Sequence, residues 1–451
     1  MHRDFHVIPG DPADLLFLPR SYRVFRLAKE ESATLLAWQS NEIAAPPSAR
    51  IGDILADESR TDTTGDPRPW GETDNLCLYV AHDCNLDCTY CYNDRGRVAN
   101  PGTMMAPDVA EAAFRRFFTA PGRKYSVSMY GGEPLMNFRG IKAMVEAGIR
   151  LEAERGIRIS YSITTNGMLL NRQRIEFLRE RFSSVSVSVD GAKADHDRYR
   201  IAPKGSAYEH ATRHLPALID RCGDKVSLLG TLTGTAADRY GDALRHMREL
   251  GTHRVSLSPV DGPADNPAAM SAAQYESYSR QHEALCVEAI ENGLDGHAPR
   301  EAINVVANML TRRKLHRFCN AGCNTAVAAD GSIYACHGLV GVPEFAMGNV
   351  ADDHNPAYVR VHAAFSELDV DRTQCSTCWA RYLCGGQCYA QAHFRCGDIR
   401  VPESRYCAHV RRCLAAGIRS FVSVVEDTEK RARLYANAKR MIGAGRGGAH
   451  G

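Results

Sequence analysis

Between residues 74 and 262 the apolar positions fall into short strand-like runs, each followed by a stretch with apolar residues at helical spacing. Strands are predicted at 76–81, 125–130, 158–164, 184–189, 226–232 and 254–258, and helices at 107–118, 140–155, 172–181, 207–221 and 236–250. Pro107 is placed to open a helix and Gly251 to stop one. Strands and helices alternating at roughly 30-residue intervals are βαβ units, which predict a parallel sheet with right-handed crossovers. Six units fall short of a closed eight-stranded barrel, so a partial barrel or open α/β sheet is expected.

The flanking segments differ. Before the repeat, 5–8 and 15–18 surround a Gly-Asp-Pro turn, 22–27 reads as a further strand, and 30–40 has helical composition. Residues 41–73, rich in Pro, Ser, Thr and Asp, read as a linker. Residues 263–318 look like bridging helices, 319–415 are Cys-rich and poor in periodic segments, and 416–451 read as a basic helix and a Gly-rich disordered tail. The chain has 451 residues, with 55 Lys and Arg against 53 Asp and Glu, a net charge of +2 that gives no reason to expect a nucleic-acid or membrane partner. Its 16 cysteines do change the picture. The N-terminus leads into no apolar signal region and no run approaches the length of a bilayer span, so a cytoplasmic location is expected. There, clustered cysteines are more often metal ligands than disulfides.

Directly after the first strand comes Cys84-x3-Cys88-x2-Cys91. Thiolates at this density select zinc or an iron–sulfur cluster. Three thiolates on a four-iron cluster leave one iron open, whereas a zinc knuckle would need a fourth ligand such as His82.

The loop, with Tyr90 before its last cysteine, resembles the radical S-adenosylmethionine (SAM) superfamily, and the following strand ends are similar to that family's as well. Gly131-Gly132-Glu133-Pro134 ends the second strand and resembles the GGEP motif near the SAM amino group. Thr165 and Asn166 lie at the end of the third strand, Ser188 and Asp190 at the end of the fourth, and Pro259 at the end of the sixth, near where the family holds adenine. Arg200 is similar to the arginine that meets the SAM carboxylate in relatives. Each motif alone is weak; their shared position at the carboxyl ends of parallel strands is where α/β ligand sites form. The resemblance implies a SAM-binding four-iron cluster, a 5′-deoxyadenosyl radical that abstracts hydrogen from substrate, and an external electron donor of flavodoxin or ferredoxin type.

Ten of the cysteines lie from Cys319 to Cys413. Cys375-x2-Cys378-x5-Cys384-x3-Cys388, with Gly331-x4-Cys336 upstream, resembles the SPASM domain. That resemblance implies two auxiliary [4Fe-4S] clusters, three in the chain: Cys319, Cys323, Cys336 and Cys388 for the first, Cys375, Cys378, Cys384 and Cys407 for the second. The short gap from Cys319 to Cys323 leaves open whether one of that pair ligates, and Cys396 or Cys413 are alternatives to Cys407. Cys77, Cys222, Cys286, Cys396 and Cys413 are left over and read as small apolar residues.

The expected fold is therefore α/β: a partial (β/α)6 radical SAM barrel over 74–262, with a small N-terminal α+β segment and a C-terminal SPASM domain. SPASM proteins with two auxiliary clusters mostly modify peptides or proteins. The resemblance implies an oxidative maturase, with a thioether, C–C or C–O crosslink in a ribosomally made peptide the favoured product. Dehydrogenation of a protein side chain, as in sulfatase maturation, or of a small molecule is the alternative; a non-enzymatic iron–sulfur protein has no need of an open iron. His337 stands where sulfatase-maturing relatives carry Asp, and is a candidate base or simply a polar neighbour of a cluster. Residues 1–40 are expected either to bind a leader peptide by strand addition or to cap a sheet edge.

Overall fold

The computed structural model describes residues 4–44, 48–63, 73–94, 97–260, 262–263, 265–294, 298–352 and 355–445. The chain divides into two compact units, one of Met1–Pro69, Ser279–Cys319 and Leu368–Gly451, the other of Trp70–Tyr278 and Asn320–Glu367.

In the first unit β1 (His6–Ile8), β2 (Asp14–Leu18) and β3 (Arg23–Leu27) form an antiparallel sheet in the order 1-2-3. Every residue of β2 is buried because both faces of the sheet are covered. Leu16 and Leu18 pack with Leu35 and Ile51 of two following helices, while Leu15 and Phe17 join a larger core with Ile290, Val305 and Leu414. Those two helices are Lys29–Gln39 and Ala49–Arg60. The second corrects the expectation of a linker over 41–73: the Ser48 hydroxyl accepts from the Ile51 N–H, capping a helix whose Ile51, Ile54 and Leu55 turn inward. Residues 45–47 and 64–72 of that segment lie outside the described residues. The bridging helices are Ala272–Glu291, which enters this unit at Ser279, and Arg300–Thr311. Helix Ser404–Glu426 runs unbroken across the boundary expected at 415, because its inward face from His409 to Val424 is a single buried stripe. Thr428–Gly445 follows it, and the tail at 446–451 lies outside the described residues.

In the second unit the predicted strands are β4 (Asn75–Ala81), β6 (Lys124–Gly131), β7 (Arg158–Thr165), β8 (Phe182–Ser188), β10 (Val226–Leu232) and β11 (Val255–Pro259). They lie side by side, all parallel, in chain order. Two short strands, β5 (Asp87–Cys88) and β9 (Arg200–Ile201), pair with each other apart from this sheet. Beyond β4 the sheet continues through β12 (Thr325–Val327), parallel to β4, then antiparallel β13 (Ser332–Tyr334) and β14 (Ala346–Asn349). This edge pairing is why 320–367 packs with the barrel strands rather than with the rest of the expected 319–415 domain.

The strands alternate. Tyr125, Val127, Met129, Ile159, Tyr161, Ile163, Val185 and Val187 are buried on one face. Helix Phe138–Arg155 lies so close to that face that a Cβ on Gly148 would meet the Tyr161 hydroxyl. The other face carries serines that bond across strands, Ser162 to Ser128 at 3.0 Å and Ser186 to Ser227 at 2.9 Å. Two predicted helices open differently. The 207–221 segment breaks into Ala207–Thr212 and Leu215–Cys222, because Pro216 cannot continue a preceding turn. The 236–250 segment begins as a 3-10 turn, Gly234–Arg239, before Tyr240–Glu249.

Candidate active site

β4 delivers the chain into the three-cysteine loop. The Asp83 carboxylate accepts the Cys84 N–H at 2.9 Å, and the Leu86 N–H points at Cys84 Sγ from 3.4 Å. β5 then carries Cys88 opposite Arg200 of β9, and Thr89 N–H donates to the Tyr199 carbonyl. Burial pushes the Cys84 thiol up to about 11 and Cys88 up to about 12, with the neighbouring cysteines adding to it and Arg200 opposing it at Cys88. Metal binding would therefore displace protons. The loop offers three thiolates, Cys84, Cys88 and Cys91. A single zinc ion would hold its thiolates about 3.8 Å apart; a cluster binds each to a separate iron. His82 offers no fourth ligand, since Nδ1 donates to the Val98 carbonyl at 2.8 Å and Nε2 accepts from Ala329 N–H at 3.2 Å. The donor set suits an iron–sulfur cluster.

The glycine motif wraps the next strand end around this loop. Gly131 has φ +135°, and a Cβ there would lie 2.3 Å from the Ala81 carbonyl oxygen. Gly132 N–H donates to that same oxygen and Glu133 N–H to the Asp83 carbonyl. The fully buried carboxyl of Glu133 accepts from Leu135 N–H (3.0 Å), Thr165 Oγ1 (2.7 Å) and Asn166 N–H (2.7 Å). Burial nonetheless pushes its pKa up. Pro134 is buried at the start of the turn Pro134–Asn137, and Thr165 also receives Gly167 N–H. Glu133 and Thr165 thus brace the ends of β6 and β7 against each other. Asn166 reaches the cysteine loop itself, donating to Asn85 Oδ1 at 2.7 Å and lying 3.7 Å from Cys84 Sγ.

The Asp190 carboxylate accepts Arg200 Nε (2.8 Å), Arg200 Nη2 (3.0 Å), Tyr90 OH (2.5 Å) and Thr231 N–H (2.8 Å). A carboxylate has about four acceptor sites, so protein donors fill it. Asp190 thus holds both Arg200 and Tyr90 in place. Ser188 and Pro259 are half-buried at the ends of β8 and β11.

The radical SAM superfamily model matches residues 78–260. Those residues are a radical SAM domain. The chain is accordingly an enzyme whose cofactors are SAM and iron–sulfur chemistry. A cysteine-type anaerobic sulfatase-maturating enzyme from Clostridium novyi (strain NT) is 25% identical over 290 residues, 60% of this chain and 75% of that one. The solved structure of native anSMEcpe with bound AdoMet and Kp18Cys peptide superposes with TM-score 0.64 at 18% identity, covering 78% of this chain and 99% of that one. Streptococcus suis SuiB bound to precursor peptide SuiA gives TM-score 0.51 at 14% identity, covering 89% and 98%. At these identities the structures speak for a shared radical SAM fold.

Further residues join the site in the second unit. The Tyr92 and Tyr130 hydroxyls meet at 3.2 Å, the Tyr130 ring stands edge-on to His337 at 5.3 Å, and Tyr79 OH donates to the His337 carbonyl at 3.0 Å. His337 is open to water yet deep enough that burial lowers its pKa. Tyr92 and Tyr130 were missed in the sequence, although one directly follows Cys91 and the other directly precedes Gly131. Cys323 is buried with its sulfur 3.5 Å from His362 Nε2, and Cys336 leads into the turn His337–Leu339.

Cys319 and Cys388 belong to the first unit, as do Cys375, Cys378, Cys384 and Cys407. Cys375 lies in the turn Gln374–Thr377 and Cys384 ends the helix Arg381–Cys384. Burial raises Cys384 to about 12 and Cys407 to about 11, and both feel the charges of Cys375 and Cys378. Among the alternatives to Cys407, Cys396 is exposed and Cys413 is fully buried in hydrogen-bonding contact with Cys286. Among the described residues no helix is long and apolar enough to cross a membrane.

Proposed function

We propose that this enzyme is a SPASM-type maturase that removes hydrogen from a peptide or protein and leaves an oxidative modification, most readily a crosslink in a ribosomally made peptide. The observation that carries the reading is the three-thiolate loop Cys84–Cys88–Cys91 directly after β4, with Asn166 at the end of β7 reaching into it. When bound, the reduced cluster and SAM supply the hydrogen-abstracting agent. The chain's own residues do the rest. Cys84, Cys88 and Cys91 would hold the cluster, Asp190 keeps Arg200 and Tyr90 oriented beside it, and Glu133 fixes the turn that brings the Gly131 backbone close. Cys375, Cys378, Cys384 and Cys407 would hold one auxiliary cluster; spacing alone supports Cys319, Cys323, Cys336 and Cys388 for the other. A flavodoxin- or ferredoxin-type donor would supply the electron. A peptide substrate is supported by relatives and fold neighbours that are named for sulfatase maturation or solved with peptides. β3 pairs with β2 alone among the described strands, an edge suited to an extended leader.

A second reading, oxidation of a sulfatase side chain, draws on the curated relatives. Co-expression with a short peptide encoded beside the gene, and separately with a sulfatase-derived peptide, separates the two. A crosslink removes two hydrogens and keeps the fragment ions joined in tandem mass spectrometry. An aldehyde reacts with hydrazine and fragments normally. An unchanged mass for both peptides would count against the maturase reading.

A further inference from the structure

The first unit contains a cluster of metal-ligating side chains that the radical SAM and SPASM motifs leave unused. Helix Ala272–Glu291 carries His282 and Cys286, and helix Ser404–Glu426 carries His409 and Cys413. Each pair is His-x3-Cys, and residues four apart lie on the same helix face. Both pairs face inward: His282 is 8% exposed, His409 5%, and the two cysteines 0%.

The four side chains already converge. His282, His409 and Cys413 each offer a ligand atom within 4.8 Å of the others, and so do His282, Cys286 and Glu301. The two imidazoles lie 5.0 Å apart, Cys286 is hydrogen-bonded to both Cys413 and His282, and Cys413 Sγ is 4.0 Å from His409 Nδ1. The donors form two overlapping triads that share His282, so the four have to draw together around an ion, Cys286 and His409 most of all. Surrounding residues orient the ligands. Glu301 Oε2 lies 2.9 Å from His282 Nε2, which leaves Nδ1 as that ring's ligand atom. Such a carboxylate behind an imidazole commonly orients a metal-binding histidine. Ser279 Oγ lies 2.9 Å from His409 Nδ1, the same atom that is 4.0 Å from Cys413 Sγ, so the hydroxyl has to yield when Nδ1 binds an ion.

We propose that His282, Cys286, His409 and Cys413 form a tetrahedral zinc site that ties these two helices together. Two thiolates and two imidazoles are the donor set of a closed structural zinc centre. They neutralise a divalent ion and leave no open position for substrate. The set shares no residue with the proposed cluster ligands, so zinc and iron loading are separable.

The test uses the full chain carrying its iron–sulfur clusters, incubated anaerobically with one equivalent of zinc and desalted. Metal analysis should give about one zinc per chain beside the iron. X-ray absorption at the zinc edge, blind to iron, should give two sulfurs near about 2.3 Å and two nitrogens near about 2.0 Å. A Cys286→Ala/Cys413→Ala double variant should keep its iron and lose the zinc. Four outcomes would overturn the site: no zinc retained by the wild type, a shell of oxygen and nitrogen only, a four-sulfur shell from zinc in a cluster position, or a Cys286–Cys413 disulfide in anaerobically isolated protein. Because the absorption measurement needs only the wild type, a variant that fails to fold leaves the test intact.

Discussion

Arg200 grips Asp190 through two nitrogens, Nε at 2.8 Å and Nη2 at 3.0 Å, with both side chains buried and Tyr90 bonded to the same carboxylate. Breaking a buried pair from one side leaves an uncompensated charge, a cost of about 3–5 kcal/mol. Asp190→Asn is therefore expected to lower unfolding free energy by an amount of that order and to weaken SAM binding as Arg200 loses its orientation. Arg200→Lys keeps the charge but not the fork, so it should lose less stability and still impair SAM cleavage. Denaturant midpoints with 5′-deoxyadenosine yields check both. Burial opposes the Asp190 charge but Arg200 outweighs it, so its pKa is lowered. The pair's contribution is thus present above the unfolded carboxyl value near about 4 and is lost as pH falls through the folded one.

His316 has the opposite sign. Hydrogen bonds to Asp369 and then Asp371 hold its pKa up to about 10 against a usual 6.5. Its stabilising contribution should be complete below pH 6.5 and disappear as pH rises through about 10. The thermal midpoint of the wild type should therefore fall over that window relative to His316→Gln. Parallel pH profiles for the two proteins would contradict the pairing.

Gly131→Ala forces a Cβ to within 2.3 Å of the Ala81 carbonyl oxygen at φ +135°. Backbone strain alone costs about 1–3 kcal/mol, and the clash adds to it. The variant should lose SAM affinity measured by equilibrium dialysis, whereas Gly156→Ala, with open space around its Cβ position, should retain it.

Cys407→Ala and Cys413→Ala separate a cluster ligand from a thiol outside the clusters. Cys407→Ala should lose up to about four of about twelve irons, and Cys413→Ala none. The reverse result would make Cys413 the distal ligand.

The main strands were legible within two residues of their ends because each carries a compact apolar run bounded by turn residues. The three cysteines were legible because their spacing is local. What Glu133 and Asp190 bind was not, since several of their partners lie 32 or more residues away, Thr165 and Asn166 for one and Tyr90 and Thr231 for the other. β12 escaped notice because three residues, Thr325–Val327, carry no period of their own and become a strand only on the edge of β4. Helix Ala49–Arg60 was hidden by its polar surroundings, although Ser48 and the i, i+3, i+4 spacing of Ile51, Ile54 and Leu55 were there to read. The two His-x3-Cys pairs lie more than a hundred residues apart, and only the packing of their helices unites them.

The most direct test of the three-thiolate site is 5′-deoxyadenosine formation by anaerobically reconstituted Cys88→Ala, assayed with SAM and a strong reductant beside the wild type. The wild type should release 5′-deoxyadenosine and methionine, and the variant should release neither while keeping about eight irons in its other clusters. Cleavage of SAM by Cys88→Ala at the wild-type rate would contradict the account.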